Sequence, residues 1–275
     1  MKQAITHILV PTDFSAFSNR AFRFATHLAK KSNAKMTLFH VVEPPYNFAT
    51  AVEGMLDMME KNALSRMKNL IAEFGTDIDI TSQIRHGRTS VEILNCIDRE
   101  GADMVVMGSR GQSKLSRTVL GSVSETIAHD LTVPLFLIPA ADEDPVISSL
   151  IFTTDFRIND PAHFKFTSSM ASLIDASVDL IHISEEFDFD ERIRHLGFTE
   201  ILRDEAGDDS LMIEIINGDS LLHGIAEYVD RQKNAALVFN RYKRTVLQKL
   251  FKKNHTDEIV VYSDLPLLII PSGSI

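Results

Sequence analysis

The two halves of this 275-residue chain carry the same succession of segments. His7-Ile8-Leu9-Val10-Pro11-Thr12-Asp13-Phe14 returns as Leu150-Ile151-Phe152-Thr153-Thr154-Asp155-Phe156, and Asn33-Ala34-Lys35-Met36-Thr37-Leu38-Phe39-His40 returns as Asp175-Ala176-Ser177-Val178-Asp179-Leu180-Ile181-His182 at the same offset. Further on, Ile84-Arg85-His86-Gly87 is echoed by Ile215-Ile216-Asn217-Gly218, and Pro134-Leu135-Phe136-Leu137-Ile138-Pro139 by Pro266-Leu267-Leu268-Ile269-Ile270-Pro271. By then the offset has shrunk by roughly ten residues, lost between His182 and Asn217, where the first copy carries Pro44 to Met59. Two copies of one domain account for this pattern. The polar, Pro-containing stretch Ala140 to Val146 is the join, which gives domains over 1–141 and 146–275.

Within a copy, apolar runs alternate with helical patterns. Ile8–Val10, Met36–Val42, Ile78–Ile84, Met104–Met107 and Leu135–Ile138 read as strands, near-continuously apolar or β-branched, as strands buried on both faces are. Ala16–Lys31, Ala51–Phe74, Ser90–Arg99 and Ser122–Asp130 read as helices, with Ser90 as an N-terminal cap and Glu92 adding charge nearby. This alternation implies an α/β fold, a parallel sheet in each half with right-handed crossovers and helices on both faces. Ligands of such sheets sit beyond the carboxyl ends of the strands, where strand order reverses. Asp13, Val41, Gly87 and Gly108 all fall at strand ends.

Composition narrows the function. The chain holds 28 Lys and Arg against 38 Asp and Glu, a formal net charge of −10, which disfavours the counterion-displacing grip of a nucleic-acid binder. The single cysteine, Cys96, excludes a disulfide scaffold and a multi-cysteine zinc site, and its apolar surroundings Ile93-Leu94-Cys96-Ile97 read as core. No signal peptide and no membrane span are expected, and a cytoplasmic setting is consistent with this.

The informative segment is Val105-Val106-Met107-Gly108-Ser109-Arg110-Gly111, followed after nine residues by Gly121-Ser122-Val123-Ser124-Glu125. A glycine at a strand end lets backbone N–H groups approach an anion, and Gly121-Ser122 opens a helix whose N-terminal N–H groups hold phosphate. Arg110, Lys114 and Arg117 bring cations to this loop. Together these features read as a polyphosphate cradle; the alternative is that the glycines only make turns. The loop is neither a Walker P-loop nor the Gly-x-Gly-x-x-Gly dinucleotide fingerprint.

Gly108, Gly111, Gly121 and Ser122 match, at every spacing, the pattern of the nucleotide-binding universal stress proteins, which the chain resembles over essentially its whole length, twice. The opening strand with Pro11, Thr12, Asp13 and Ser15 is similar to the family's first-strand signature, and His86-Gly87 and Val133-Pro134 also fit. The resemblance implies two tandem Rossmann-like, adenine nucleotide alpha hydrolase-like domains, each a five-stranded parallel sheet. It implies ATP, with Mg²⁺ on its phosphates. The site residues carried over are Pro11, Thr12, Asp13, Val41, Met107, Gly108, Gly111, Gly121, Ser122 and Val123, with Ser109 and Arg110 beside them. Val41 and Met107 would form an apolar slot for adenine, and Asp13 would accept from ribose or adenine or face a cation through water. No catalytic residue and no protein ligand to a metal is assigned. Family members dimerise along the last strand, so the tandem chain is expected to be an intramolecular pseudo-dimer, with a further homodimer left open.

The second copy departs from this pattern. Asn240 and Lys243 stand at the first two glycine places, Tyr242 at that of Arg110, and Lys253-Asn254 at that of Gly121-Ser122. Side chains there should obstruct phosphate, so this half is expected to keep the fold and lose the nucleotide. Its basic run Arg241, Lys243, Arg244, Lys249, Lys252 and Lys253 reads as a solvated face. His40 and His182 occupy equivalent strand positions and read as structural, and Met55, Met58 and Met59 as packing. The function expected is a nucleotide-responsive stress or signalling module binding ATP in its first half; the alternatives are a slow ATP hydrolase or adenylate-dependent enzyme, and a scaffold that binds no nucleotide.

Overall fold

The structure is a computed structural model and describes residues 5–43, 52–111, 121–139, 146–232, 234–240 and 265–271. Between Pro145 and Val146 the chain divides into two compact units. The first runs β1 (His7–Pro11), α1 (Ala16–Ser32), β2 (Lys35–Val42), α2 (Val52–Phe74), β3 (Ile80–His86), α3 (Thr89–Glu100), β4 (Met104–Gly108), α4 (Ser122–Asp130) and β5 (Leu135–Ile138). Its strands lie in the order β3-β2-β1-β4-β5, and every pairing is parallel. Strand order reverses between β1 and β4, and crevices in such sheets open there.

The central strands β1 and β4 are buried at every residue, which is why they are apolar throughout rather than alternating. Helix α1 lays Ala21, Phe22, Ala25, Leu28 and Ala29 on the sheet; this i, i+1, i+4 spacing makes one apolar stripe. Phe22 is fully buried, worth ~2–3 kcal/mol relative to exposure. Ser15 caps α1 by accepting from Ser18 N–H, and Asn33 ends it in the left-handed conformation with Lys30 and Lys31 in the last turn. Across the core, Phe24 meets Phe136 edge-on with ring centroids 5.0 Å apart.

Helix α3 differs from the sequence expectation. It begins at Thr89 rather than Ser90; Ser90 is buried and is not its cap. The cap comes from the end of β2, where the Glu43 carboxylate accepts from Thr89 N–H at 2.6 Å. Hydrogen bonding from the Thr89 side chain, and then from its N–H, holds the Glu43 carboxyl below the usual carboxylate range.

The second unit runs β6 (Ser149–Thr153), α5 (Asp160–Ile174), β7 (Ser177–Ser184), α6 (Phe189–Ala206), β8 (Glu214–Asn217), α7 (Leu221–Val229), β9 (Ala235–Asn240) and β10 (Leu267–Ile270). Its strands lie in the order β10-β9-β6-β7-β8, again all parallel, so each unit is a five-stranded sheet among the described residues. The ten-residue shortening falls in two places: the link before α6 is four residues where that before α2 is nine, and α6 has 18 residues against 23 for α2. The join from Ala140 to Pro145 lies outside the described residues.

Candidate functional site

The repeat builds the same turn at the end of its first strand in each unit. In the first, Phe14 takes φ 62°, in the second Phe156 takes φ 58°, left-handed values that a bulky residue rarely adopts. Each turn is closed by a threonine hydroxyl: Phe14 N–H donates to Thr12 Oγ1 at 3.0 Å and Phe156 N–H to Thr154 Oγ1 at 3.0 Å. Each phenyl ring then lies on a histidine, Phe14 on His40 at 4.7 Å and Phe156 on His182 at 4.2 Å. The histidines donate from Nδ1 to the preceding carbonyls, His40 to Thr12 O at 2.7 Å and His182 to Thr154 O at 2.8 Å. Burial holds His40 below the usual imidazole value, so it is neutral at pH 7. Both histidines serve the turn. In the first unit Arg66 of α2 covers the other side, 4.4 Å above the Phe14 ring, and donates to Phe14 O at 3.2 Å.

Beyond this turn, at the carboxyl ends of β1, β2 and β4, lies a cleft of about 170 Å³. Eleven of the twelve expected site residues line it: Pro11, Thr12, Asp13, Val41, Met107, Gly108, Arg110, Gly111, Gly121, Ser122 and Val123. Ser109 does not; its hydroxyl is buried and meets no hydrogen-bond partner. Lys114 and Arg117 lie outside the described residues. Sequence reasoning missed Ser18, Phe39, His40, Thr89 and Ile93 as lining. Only the fold brings α1 and α3 to the cleft, so no local signal marked them. Ser124 also lines it, but its hydroxyl is committed to Gly108 O at 3.1 Å, which fastens α4 to the end of β4.

The glycines do different jobs. A Cβ at Gly108 would come within 2.9 Å of the Phe17 carbonyl carbon and 3.0 Å of Ser18 N, so bareness here lets the first turn of α1 sit against β4. The sequence reading gave that freedom to an anion; the structure gives it to helix packing. A Cβ at Gly111 would lie 2.7 Å from Asp13 Oδ2, so this glycine keeps the carboxylate in place beside the loop. Asp13 is also held through Oδ1, which accepts from Ser15 N–H at 3.0 Å. Gly121 is the N-cap of α4, has ordinary extended dihedrals and supplies no side-chain cap. The first N–H groups of α4 therefore face the cleft with the positive end of the helix dipole behind them, a setting suited to an anion.

The second unit builds the end of the corresponding strand differently. Asn240, at the position of Gly108, is 1% exposed and donates from Nδ2 to Asp160 Oδ1 at 3.1 Å. The other oxygen of the fully buried Asp160 accepts from Thr154 Oγ1 at 2.7 Å, Asp155 N–H at 3.2 Å and Arg157 N–H at 3.1 Å. Helix α5 starts two residues later in the repeat than α1, which makes room for the asparagine. Lys243, Lys253 and their basic neighbours from Arg241 to Asn254 lie outside the described residues.

Strand order and cleft together define a doubly wound α/β protein whose ligand crevice opens where the strand order reverses. Within that class, the chain belongs to the universal stress protein family, whose model matches residues 4–139. It is 28% identical to a universal stress protein of Methanocaldococcus jannaschii over 138 residues, 48% of this chain and 80% of that protein. It is 31% identical to one of Mycolicibacterium smegmatis over 145 residues, 50% of this chain and 49% of that protein. The crystal structure of a universal stress protein from Archaeoglobus fulgidus covers 96% of each chain with TM-score 0.70 at 19% identity, a likeness of fold. No helix among the described residues is long and apolar enough to cross a membrane.

Proposed function

We propose that the first unit binds ATP, with Mg²⁺ on its phosphates, in the cleft at the ends of β1, β2 and β4, and that the chain is a nucleotide-responsive module of the cytoplasmic stress response. The observation that carries this reading is one juxtaposition: the uncapped N-terminus of α4 and the bare Gly111 at one side of a cleft whose other lining includes Val41 and Met107. The apolar pair suits a flat base, and the N–H groups suit phosphate oxygens. Each such hydrogen bond to a charged group contributes on the order of 1.5–3 kcal/mol. Asp13 stands beside Gly111, where it accepts from a ribose hydroxyl or from water on the cation. The nucleotide acts by linkage, shifting the population towards the loop arrangement that it binds better.

Calorimetry with ATP and Mg²⁺ tests the reading. Wild type binds one ATP per chain. In Gly121→Glu the new carboxylate takes the N–H groups of α4 and repels phosphate, so affinity falls by about 100-fold or more, equivalent to ~2.7 kcal/mol. Gly121 has unstrained dihedrals, and a Cβ there meets its neighbours at 3.4–3.7 Å, so the fold and the melting temperature persist. Absence of binding to wild type would leave a scaffold, and two ATP per chain would refute the expected loss of the site in the second copy.

A further inference from the structure

A cavity of about 520 Å³ opens in the second unit, away from the carboxyl ends of its strands. Its origin is the short β8. In the first unit β3 pairs with β2 from Met36 to Val42, whereas β8 pairs with β7 only from Ile181 to Ser184. Val178, Asp179 and Leu180 therefore pair with β6 on one side and have no ladder partner on the other among the described residues. They line the cavity together with residues of α6, the approach to β8 and Tyr228 of α7.

The first unit shows what is missing. There, His7 Nε2 meets Thr37 Oγ1 at 2.8 Å and Thr37 Oγ1 meets Thr81 Oγ1 at 3.1 Å, a closed polar chain across three strands. In the repeat, Ser149 stands at His7 and Asp179 at Thr37, and the strand that would supply the third member begins too late. A carboxylate has replaced a hydroxyl just where the donor was lost. Asp179 Oδ2 is sealed from solvent and has no hydrogen-bond partner of good geometry. Burial pushes its carboxyl above the usual range; the Ser149 hydroxyl opposes this and Glu214 adds to it. Glu214 is a second carboxylate on the same cavity and accepts from Tyr228 Oη at 3.4 Å. Burial first, then the two carboxylates, push the Tyr228 phenol up to about 12.

Two basic side chains share this wall, His195 and Arg203. Arg203 donates to Glu200 Oε1 at 3.2 Å and to Leu211 O at 3.0 Å. The remaining wall is largely apolar, with Leu180 inside and Leu196 and Met212 exposed at the rim. Among the described residues no group of three His, Cys, Asp or Glu is placed to hold a metal ion. We propose that this cavity binds a small organic cation, an ammonium or guanidinium group on an apolar body, whose charged end is taken by Asp179 and Glu214. The size falls within the range of ordinary ligand pockets, and an N–H donor on the ligand meets a carboxylate of the wall in a charge-assisted bond. This site is separate from the nucleotide cleft and does not depend on it.

The test is calorimetry and amide chemical-shift mapping on the full chain with phenethylamine, hexylamine and agmatine, against 2-phenylethanol and 3-phenylpropanoate as neutral and anionic counterparts. At least one amine saturates one site per chain and shifts the amides of Val178 to Leu180 and Glu214. The matched alcohol binds about tenfold more weakly or not at all, a difference of ~1.4 kcal/mol. Asp179→Asn loses about tenfold in amine affinity, and Glu214→Gln, at an exposed position that leaves the fold alone, weakens it in the same direction. Thermal melts confirm that both variants are folded. The proposal is overturned if no amine binds, if alcohol and acid bind as well as amine, if the shifts map elsewhere, or if both folded variants retain wild-type affinity.

Discussion

Phe14 shows how much can hang on one residue. Its left-handed backbone carries a strain of roughly 1–3 kcal/mol, persisting because the Thr12 hydroxyl, the His40 ring and Arg66 all hold it. A neutral His40 is part of that arrangement, and burial lowers His7 and His163 in the same way. In the unfolded chain these imidazoles take up protons near 6.5, so the native state binds fewer protons below that pH. Their contribution to stability is complete above pH 6.5 and is lost as pH falls towards their lower native values. Urea unfolding at pH 7.5 and pH 5 reads this as a falling midpoint; His40→Asn, which keeps a donor for Thr12 O, shows a smaller fall. Gly108→Ala drives a methyl into the Phe17 backbone and costs about 1–3 kcal/mol by the same measurement. The sequence made the conserved spacing of Thr12, Phe14 and His40 within the two copies visible, but not the positive φ, because a left-handed phenylalanine has no local signature. It likewise assigned Gly108 to a ligand, because contact with α1 is a tertiary fact.

Helix ends sort themselves by what they face. Helices α1 and α6 carry side-chain caps of their own, from Ser15 and Asp188. Helix α3 borrows Glu43 from β2, a pairing 46 residues apart that no local pattern reveals, which is why Ser90 was the natural reading from sequence. Glu43→Ala is expected to lower stability by about 0.5–2 kcal/mol, the usual cost of a lost cap, and to loosen Thr89 at the rim of the cleft. Hydrogen exchange localised to the first turn of α3 measures both. Helix α4 has no side-chain cap, and its ends were legible to the residue from Gly121-Ser122 and the apolar strand that follows. The elements of the first unit were legible because strands buried on both faces have to be apolar and turns in this chain are marked by Gly, Asn and Pro. The shortness of β8 was not, since Glu214-Ile215-Ile216-Asn217 reads the same whether two or seven residues pair.

At the scale of the molecule, duplication gave one chain two copies of a turn and let them diverge. One copy has an open cleft at its strand ends; the other links the end of β9 to the start of α5 through Asn240 and Asp160. Asp160→Ala strips four donors of their shared acceptor inside the second unit. It should lower that unit's denaturation midpoint by the equivalent of roughly 2–4 kcal/mol while leaving the ATP isotherm of the first unit untouched. Unfolding followed by amide signals of β6 and β1 separately reads the two responses. The interlock also constrains descent. A gene copy that restored glycine at 240 alone would bury a carboxylate with one partner fewer, and one that removed Asp160 alone would take away the acceptor that the asparagine amide meets at 3.1 Å. Each single change is penalised, so the two positions are coupled, and only a joint replacement would reach the arrangement of the first unit without that penalty.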